Sequence, residues 1–427
     1  METKMTLTTE QQAMLSGERG EAMAKVMKTL VNYGETFGAD RMVPVNSEYG
    51  HLVTSFGLGV MKPVYELMDQ LIEGGAISGQ KFSVDPRPLD KNVPSNALQN
   101  LVFKFMYSAQ ESYEQQLNKL GLLQEDAFTC ACYLPEIGNT PKKGEILSWA
   151  ESSAVVYANS VFGARCNRNS GIIELFGSIA GCVPYFGLLT DEGRKATWIV
   201  EVKTSKMPEA QVLGSAIGMK VMEDVPYIKG LSGFIGTELN DSASAYLKDM
   251  GAATASNGAV GLYHVEGLTP EAVELGESLI AEGTKTYVID DAELKRIKDS
   301  YPIIWKDRDA HPKLAFIGCP HLSIGQLVDW TEKVEAGLKA SGRNKVAIPT
   351  VFTTAPAVKK EFQKTEHYER LQKTGVVLSY ICPLMYMNNP LCGKQPVITS
   401  SNKLRTYTSA KYMTNDEILA AITKGGK

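Results

Sequence analysis

Apolar residues recur at three- and four-residue intervals through AMAKVMKTLVNY (22–33), VMKPVYELMDQLIEGG (60–75) and ALQNLVFKFMYSAQESYEQQLNKLG (97–121). Each run predicts an amphipathic helix, the last one continuous until Gly121 stops it. Thr8 and Gln11 have capping-box spacing ahead of a first helix, and Gly17 and Gly20 interrupt the pattern that follows. Those glycines read either as a plain helix break or as a place where backbone approaches a ligand. Between the second and third runs, Pro86, Pro88 and Pro94 predict an extended, stiff connection.

From about residue 195 the pattern changes to short apolar runs, each followed by an amphipathic one. TWIVEVKT precedes PEAQVLGSAIGMKVM, YIKGLSGFIG precedes LNDSASAYLKDMG, GAVGLYHVEG precedes TPEAVELGESLIAEG, and TKTYVID precedes DAELKRIKDSY. The last third repeats the scheme. KLAFIG leads to Cys319 and the helix IGQLVDWTEKVEAGLKASG; KVAIPTVF leads to APAVKKEFQKTEHYERLQKTG; GVVLSYI leads to Cys382; and PVIT leads to Ser400–Lys403 and a helical LRTYTSAKYM. Such alternation predicts an α/β protein with mostly parallel sheets flanked by helices. The divisions expected are a mixed α/β region over 1–190 and α/β units over 191–300 and 301–427. Parallel strands present their carboxyl ends on one edge, where α/β proteins bind ligands, so Cys319, Cys382 and the 400–403 segment should share an edge.

Composition narrows the function classes. The 427 residues carry a net charge of −4 with Lys and Arg scattered, which provides no basic face for nucleic acid or an anionic membrane. A small or acidic ligand fits better. The most apolar long stretch, GIIELFGSIAGCVPYFGLL (171–189), contains Glu174 and Pro184, and the first residues have no apolar signal region, so a cytoplasmic protein is expected. Seven cysteines without a C-x-x-C pair suit reduced thiols or metal ligands.

Three places hold candidate chemistry. Cys319 and Cys382 each follow a predicted strand and precede a proline; they read as buried thiols or as a shared metal site. In 128–168, Cys130 and Cys132 precede a run carrying Glu151, Ser152, Ser153, Asn159, Ser160, Arg165 and Arg168. These small hydroxyl and amide groups ending in arginine are poor core material and read as a site lining, with arginine suited to a carboxylate. Lys403, behind Ser401, offers an anion-binding point, and His51 and His321 are the histidines worth following, His51 for acid chemistry. No G-x-S-x-G, Walker or G-x-G-x-x-G motif supports hydrolase, kinase or nicotinamide chemistry.

Taken together, LSGERGEAMAKVMKTLVNYGETFGADRMVPV, WAESSAVVYANSVFGARCNRNSG, GCPHLS and a late strand-Cys-Pro segment resemble the large, catalytic component of the aconitase X family. The resemblance implies a hydro-lyase with an aconitase-like multi-domain fold, acting on a small hydroxy acid. It also implies an iron–sulfur cluster or mononuclear iron held by Cys130, Cys319 and Cys382, with Cys132 a competitor for Cys130. Joining the local readings to the resemblance, Ser152, Ser153, His51 and Lys403 are expected in catalysis, and Asn159, Ser160, Arg165, His321 and Ser401 at the substrate. Pro320 is expected to end its strand so that the Cys319 sulfur projects past the sheet. Only 45 residues follow Cys382, so the family's swivelling domain and its catalytic serine are expected on a separate small subunit. cis-3-Hydroxy-L-proline is the substrate favoured, mevalonate 5-phosphate the alternative, with Arg87, Lys403 and Arg405 available for a phosphate. A metal-free binding or scaffold protein is the reading from another class.

Overall fold

The computed structural model describes residues 3–425. The first 190 residues are mostly helical: α1 (Thr9–Ser16), α2 (Glu21–Thr36), α3 (Lys62–Glu73), α4 (Ala97–Met106), α5 (Gln110–Leu120), α6 (Ser152–Tyr157) and α7 (Ile173–Ala180). Small strands join them. β1 (Met42–Pro44) pairs antiparallel with β4 (Cys182–Pro184), and β2 (Gly50–Leu52) pairs parallel with β3 (Phe82–Val84). Gly17 ends α1 and Gly20 begins α2, both at positive φ, and a side chain at Gly20 would meet only the Gly74 carbonyl. The break reading therefore holds there.

Two larger sheets follow. β5 (Ala196–Val202), β6 (Pro226–Lys229), β7 (His264–Val265) and β8 (Ile280–Ile289) form a parallel sheet in the order β7-β6-β5-β8. β9 (Leu314–Leu322), β10 (Thr350–Thr354), β11 (Val377–Ser379), β12 (Val397–Thr399) and β13 (Lys411–Tyr412) form the other, also parallel throughout, in the order β11-β10-β9-β12-β13. Helices cover both sheets, and one continuous apolar core runs from Ala131 to Ile422. The mixed α/β class with parallel sheets flanked by helices is what the periodicity implies. Among the described residues no helix is long and apolar enough to cross a membrane.

Several local expectations differ. The run 97–121 is two helices, because the chain turns at Tyr107–Ala109, where Gly59 N–H donates to Met106 C=O (2.8 Å) and the Tyr107 hydroxyl to Met385 C=O (2.7 Å). The segment 355–375 likewise divides into Pro356–Phe362 and Glu366–Lys373. Residues 280–283, read as the end of a helix, open β8, and LRTYTSAKYM ends in β13. His51 lies in β2, and His264 lies in β7, buried, with Nε2 2.9 Å from the Arg194 carbonyl.

Candidate functional site

β9 is the middle strand of the larger sheet, and its pairing with β10 slips between Phe352↔Ile317 and Thr354↔Leu322. The extra residues bulge outward. Gly318 makes the bulge possible: its φ is +107° and an added Cβ would lie 2.4 Å from the Thr353 carbonyl oxygen. Cys319 is carried on this bulge, and the strand resumes through Pro320 to Leu322. Pro320 therefore does not end the strand; the bulge projects the sulfur. Cys382 follows β11 and begins the helix Pro383–Met387, its N–H donating to the Arg87 carbonyl (2.9 Å).

Cys130 arrives from the other side of the site. Val84 and Phe128 form a parallel bridge, and Thr129 N–H donates to Val84 C=O (2.7 Å), so Asp85 and Cys130 leave that bridge side by side. Cys132 is fully buried in the apolar core, whereas Cys130 stays partly open. Cys319 is felt by both of the other thiols. Burial is the main force raising each above the usual thiol range, and the Cys319 sulfur adds to the rise at both Cys130 and Cys382.

His321 braces this arrangement. Its Nε2–H points at the Ile381 carbonyl (3.1 Å), which can only accept, so Nδ1 is the acceptor for the Thr129 hydroxyl (3.0 Å). Its backbone N–H lies 3.4 Å from the Cys130 sulfur, and Lys248 Nζ donates to its carbonyl (3.1 Å). Burial pushes the imidazole down to about 4, so it stays neutral. One ring thus ties the neighbour of Cys130 to the neighbour of Cys382. His321 is fully buried with both ring nitrogens engaged, which replaces the expected substrate contact with a structural one.

A charged row completes the site. Ser401 caps the helix Asn402–Tyr407, accepting from Leu404 N–H (3.1 Å), and its hydroxyl also lies against the Cys319 thiol. Lys403, on that helix, forms a buried ion pair with Glu151, and its Nζ is 3.5 Å from Ser153 Oγ. Ser153 donates both its N–H (3.0 Å) and its hydroxyl (2.6 Å) to Glu151 Oε1. Burial works against both charges, yet the attraction of each for the other prevails: Glu151 is held down at about 2 and Lys403 above its ordinary value. Ser153 therefore orients Glu151. Ser152 opens α6 half-buried and makes no hydrogen bond through its side chain among the described residues.

Next to Glu151 lies a group not singled out from the sequence. Asp85 is buried, and burial together with the Glu151 carboxylate raises it well above the usual carboxylate range. His51 Nε2 is 3.3 Å away, and His51 Nδ1 lies 2.9 Å from Ser83 Oγ, which also accepts from Asn139 Nδ2 (2.9 Å). His51 Nε2 and Asp85 Oδ1 nevertheless both lack a proper hydrogen-bond partner. Buried polar atoms rarely stay unpaired outside functional sites. Cys319 and Cys382 are each 7% exposed, Asp85 6%, Glu151 7% and Lys403 6%, whereas His51 and His321 behind them are at 0%. That sliver of exposure marks the mouth.

Most of the other polar side chains of 151–168 are engaged within the protein. Asn159 donates to the Cys166 and Gly261 carbonyls (both 2.8 Å) and accepts from Cys166 N–H (2.9 Å), and Ser160 accepts from Tyr263 N–H (2.9 Å). Arg165 is held by the Leu189 carbonyl (2.8 Å) and Asp191, and Arg168 by the Ala259 carbonyl. Asn159 and Ser160 are spent on backbone, while Arg165 is shared between a carbonyl and the Asp191 carboxylate. Small polar groups here let the π-helical turn Ala158–Phe162 pack closely against 259–263.

Among the described residues no three His, Cys, Asp or Glu side chains stand close enough to enclose a bare metal ion. The donor types are nonetheless those a metal takes: Cys319 is felt by both Cys130 and Cys382, and a carboxyl oxygen of Asp85 is unpaired near them.

Comparison with known proteins supplies the kinship. Family models described as the aconitase X first, second and third domains match residues 4–192, 196–299 and 312–419. The phosphomevalonate dehydratase large subunit of Thermococcus kodakarensis is 32% identical over 407 residues, covering 94% of this chain and 95% of that protein. The cis-3-hydroxy-L-proline dehydratase of Hypocrea jecorina is 27% identical over 419 residues, covering 95% of this chain but 64% of that protein. The crystal structure of Thermococcus kodakaraensis aconitase X in its holo form superposes with a TM-score of 0.79 at 28% identity, over 98% of this chain and all of that one.

Proposed function

The chain belongs to the aconitase X family of dehydratases, and from that premise we propose that it is the large subunit of an iron-dependent hydro-lyase acting on a small hydroxy acid. This kinship with carbon–oxygen lyases speaks for an enzyme over a scaffold. The observation that carries the proposal is the meeting of Cys130, Cys319 and Cys382 beside the Glu151–Lys403 pair, with Asp85 unpaired at the same mouth. Iron bound by these thiolates, in a cluster or as a single ion, supplies a Lewis acid for a substrate's carboxylate and hydroxyl oxygens.

The chain's own residues then divide the remaining work. An ammonium has three donors, and Lys403 commits one to Glu151 and turns another toward Ser153, which leaves one for a substrate carboxylate. Elimination breaks a C–O bond and a C–H bond, so the departing hydroxide needs a proton and the carbon must lose one. Asp85 is placed to give the first: its carboxyl favours the protonated form, and His51 stands behind it. The base for the second is assigned to a serine on a separate small subunit. Support for that partner comes from the relatives named large subunits, of which the Thermococcus protein is matched over 95% of its length, and from the greater length of the hydroxyproline dehydratases.

The engaged state of the basic residues favours an unphosphorylated substrate, cis-3-hydroxy-L-proline. Arg87 is locked in a two-pronged pair with Glu114 (3.0 and 2.9 Å) and lies over Phe128, and Arg405 is held by Asn402 and Asn257 over Tyr301. Neither is free for a phosphate. Mevalonate 5-phosphate is the second reading, favoured by the identity to the Thermococcus large subunit. Anaerobically reconstituted protein, mixed with its small subunit, should dehydrate cis-3-hydroxy-L-proline and absorb in the visible. Turnover of mevalonate 5-phosphate alone would reverse the substrate assignment, and iron-free, colourless protein that still turns over would remove the metal.

A further inference from the structure

A single carbonyl fixes the direction of a row of hydrogens that ends at Asp85. β2 and β3 pair in register with His51 opposite Ser83, so these two fully buried side chains stand next to each other. Asn139, also buried, closes the row: its amide nitrogen is 2.8 Å from the Gly50 carbonyl oxygen and 2.9 Å from Ser83 Oγ. A carbonyl oxygen only accepts, so the nitrogen of Asn139, and not its oxygen, must face Gly50. One of its hydrogens then goes to Gly50 and the other to Ser83.

Ser83 keeps one hydrogen of its own, with two acceptors in reach. His51 Nδ1 is 2.9 Å from Oγ, whereas the Gly50 carbonyl is 3.5 Å away and already accepts from Asn139. The longer separation is at the limit of a hydrogen bond, so the Ser83 hydrogen points at Nδ1. Nδ1 is therefore the bare nitrogen of the ring, and Nε2 carries the hydrogen. That hydrogen faces Asp85 Oδ1 across 3.3 Å, and neither atom has another partner. Trp149, edge-on to the imidazole with ring centroids 5.9 Å apart, and the backbone bridge between His51 and Trp149 hold the ring in place.

We infer that Ser83, oriented by Asn139, is a positioning residue that keeps His51 in the Nε2–H tautomer, so that Asp85 receives a donor at Oδ1 and carries its transferable proton on Oδ2. The inference rests on Asp85 acting as the acid of the proposed function. His51 is then no relay. When the Oδ2–H bond breaks and its proton joins the departing hydroxide as water, the electron pair stays on Asp85, and the Nε2–H donor tightens onto the new carboxylate. No proton leaves His51 or Ser83. In the other tautomer a bare Nε2 would face the ionised Asp85, lone pair against negative charge, and oppose the transfer.

The tautomer is read directly in the full-length chain carrying isotopically labelled histidine and prepared without iron. A long-range proton–nitrogen correlation, assigned through His51→Gln, should show Nε2 protonated and Nδ1 bare, and Ser83→Ala should shift the hydrogen to Nδ1 or mix the two forms. In the iron-loaded enzyme with its small subunit, Ser83→Ala should lower kcat about 10–100-fold, as loss of a partner orienting a histidine does, with KM unchanged. His51→Gln, whose amide N–H can stand where Nε2–H stands, should keep more activity than His51→Asn. A hydrogen on Nδ1 in the parent chain, parental kcat in Ser83→Ala, or equal loss in the two His51 variants overturns this inference alone. Parental kcat in Asp85→Asn overturns it together with the acid on which it rests.

Discussion

Two buried ion pairs in this protein have opposite characters. Arg194 and Glu271 meet through two parallel hydrogen bonds of 2.7 Å, and the remaining guanidinium donors reach the Leu188 carbonyl, the Asn159 carbonyl and the Asn159 side chain. His264 closes the group by bonding the Arg194 carbonyl. Lys403 and Glu151 are as deeply placed, yet they border on three thiols, an unpaired Asp85 oxygen and a narrow opening. The first pair is closed and holds chain segments together. The second leaves valences free, and free valences in a buried place are where a ligand can bind.

Replacing Cys319 tests the open cluster most severely. Cys319→Ala should abolish iron uptake, visible absorption and activity together, whereas Cys132→Ala, deep in the core, should keep the iron; the reverse result would move the site. Next come the pairs themselves. Lys403→Met should lower kcat/KM about 10²–10³-fold, the typical loss of one well-placed charge-stabilising donor. Arg194→Met should instead cost about 3–5 kcal/mol in denaturant titration by stranding a buried carboxylate. If Lys403→Met proved the more destabilising and Arg194→Met the less active once folded, the contrast would collapse.

Asp85→Asn should slow kcat by about 10² or more, the usual contribution of a general acid, without lowering the melting temperature, since it relieves crowding against Glu151. The smallest effect concerns Glu174, which donates nothing to the site. Its Oε1 accepts from Val53 N–H (2.9 Å), Oε2 is unpaired, and burial pushes the carboxyl up to about 8. A carboxyl raised on folding takes up a proton relative to the unfolded chain, so its stabilisation is complete below about 4.5 and declines as pH rises toward 8. Glu174→Gln should flatten the fall in melting temperature over that window; an unchanged slope would assign it to other groups.

Much of this contrast was legible in the sequence. The strand pattern assigned Cys319, Cys382 and Ser400–Lys403 to β9, β11 and β12 of one parallel sheet, although Cys319 sits on a bulge within β9 and not at its end. The alternating periodicity implied the fold class. What was hidden depended on contacts distant in sequence. Nothing at Tyr107–Ser108–Ala109 is a local helix breaker, and the turn there is made by Gly57, Gly59 and Met385. Asp85 resembled a loop residue among prolines, because its burial comes from the β2–β3 pair and Glu151. The polar run 151–168 misled for the reason that small hydroxyls and amides serve tight backbone packing as well as they serve ligands. An aspartate directly after the short strand-like run Phe82–Ser83–Val84 was a local signal for Asp85.

The brace at His321 also says something about when this site can exist. Its ring joins residues 192 and 60 positions away in the chain, and contacts of such separation close late, after shorter loops have formed. Until then the three cysteines belong to unrelated segments of a folding polypeptide, and no partial structure presents them together. Should the three thiols hold a metal, as proposed, its insertion would have to follow folding, with the imidazole brace already in place.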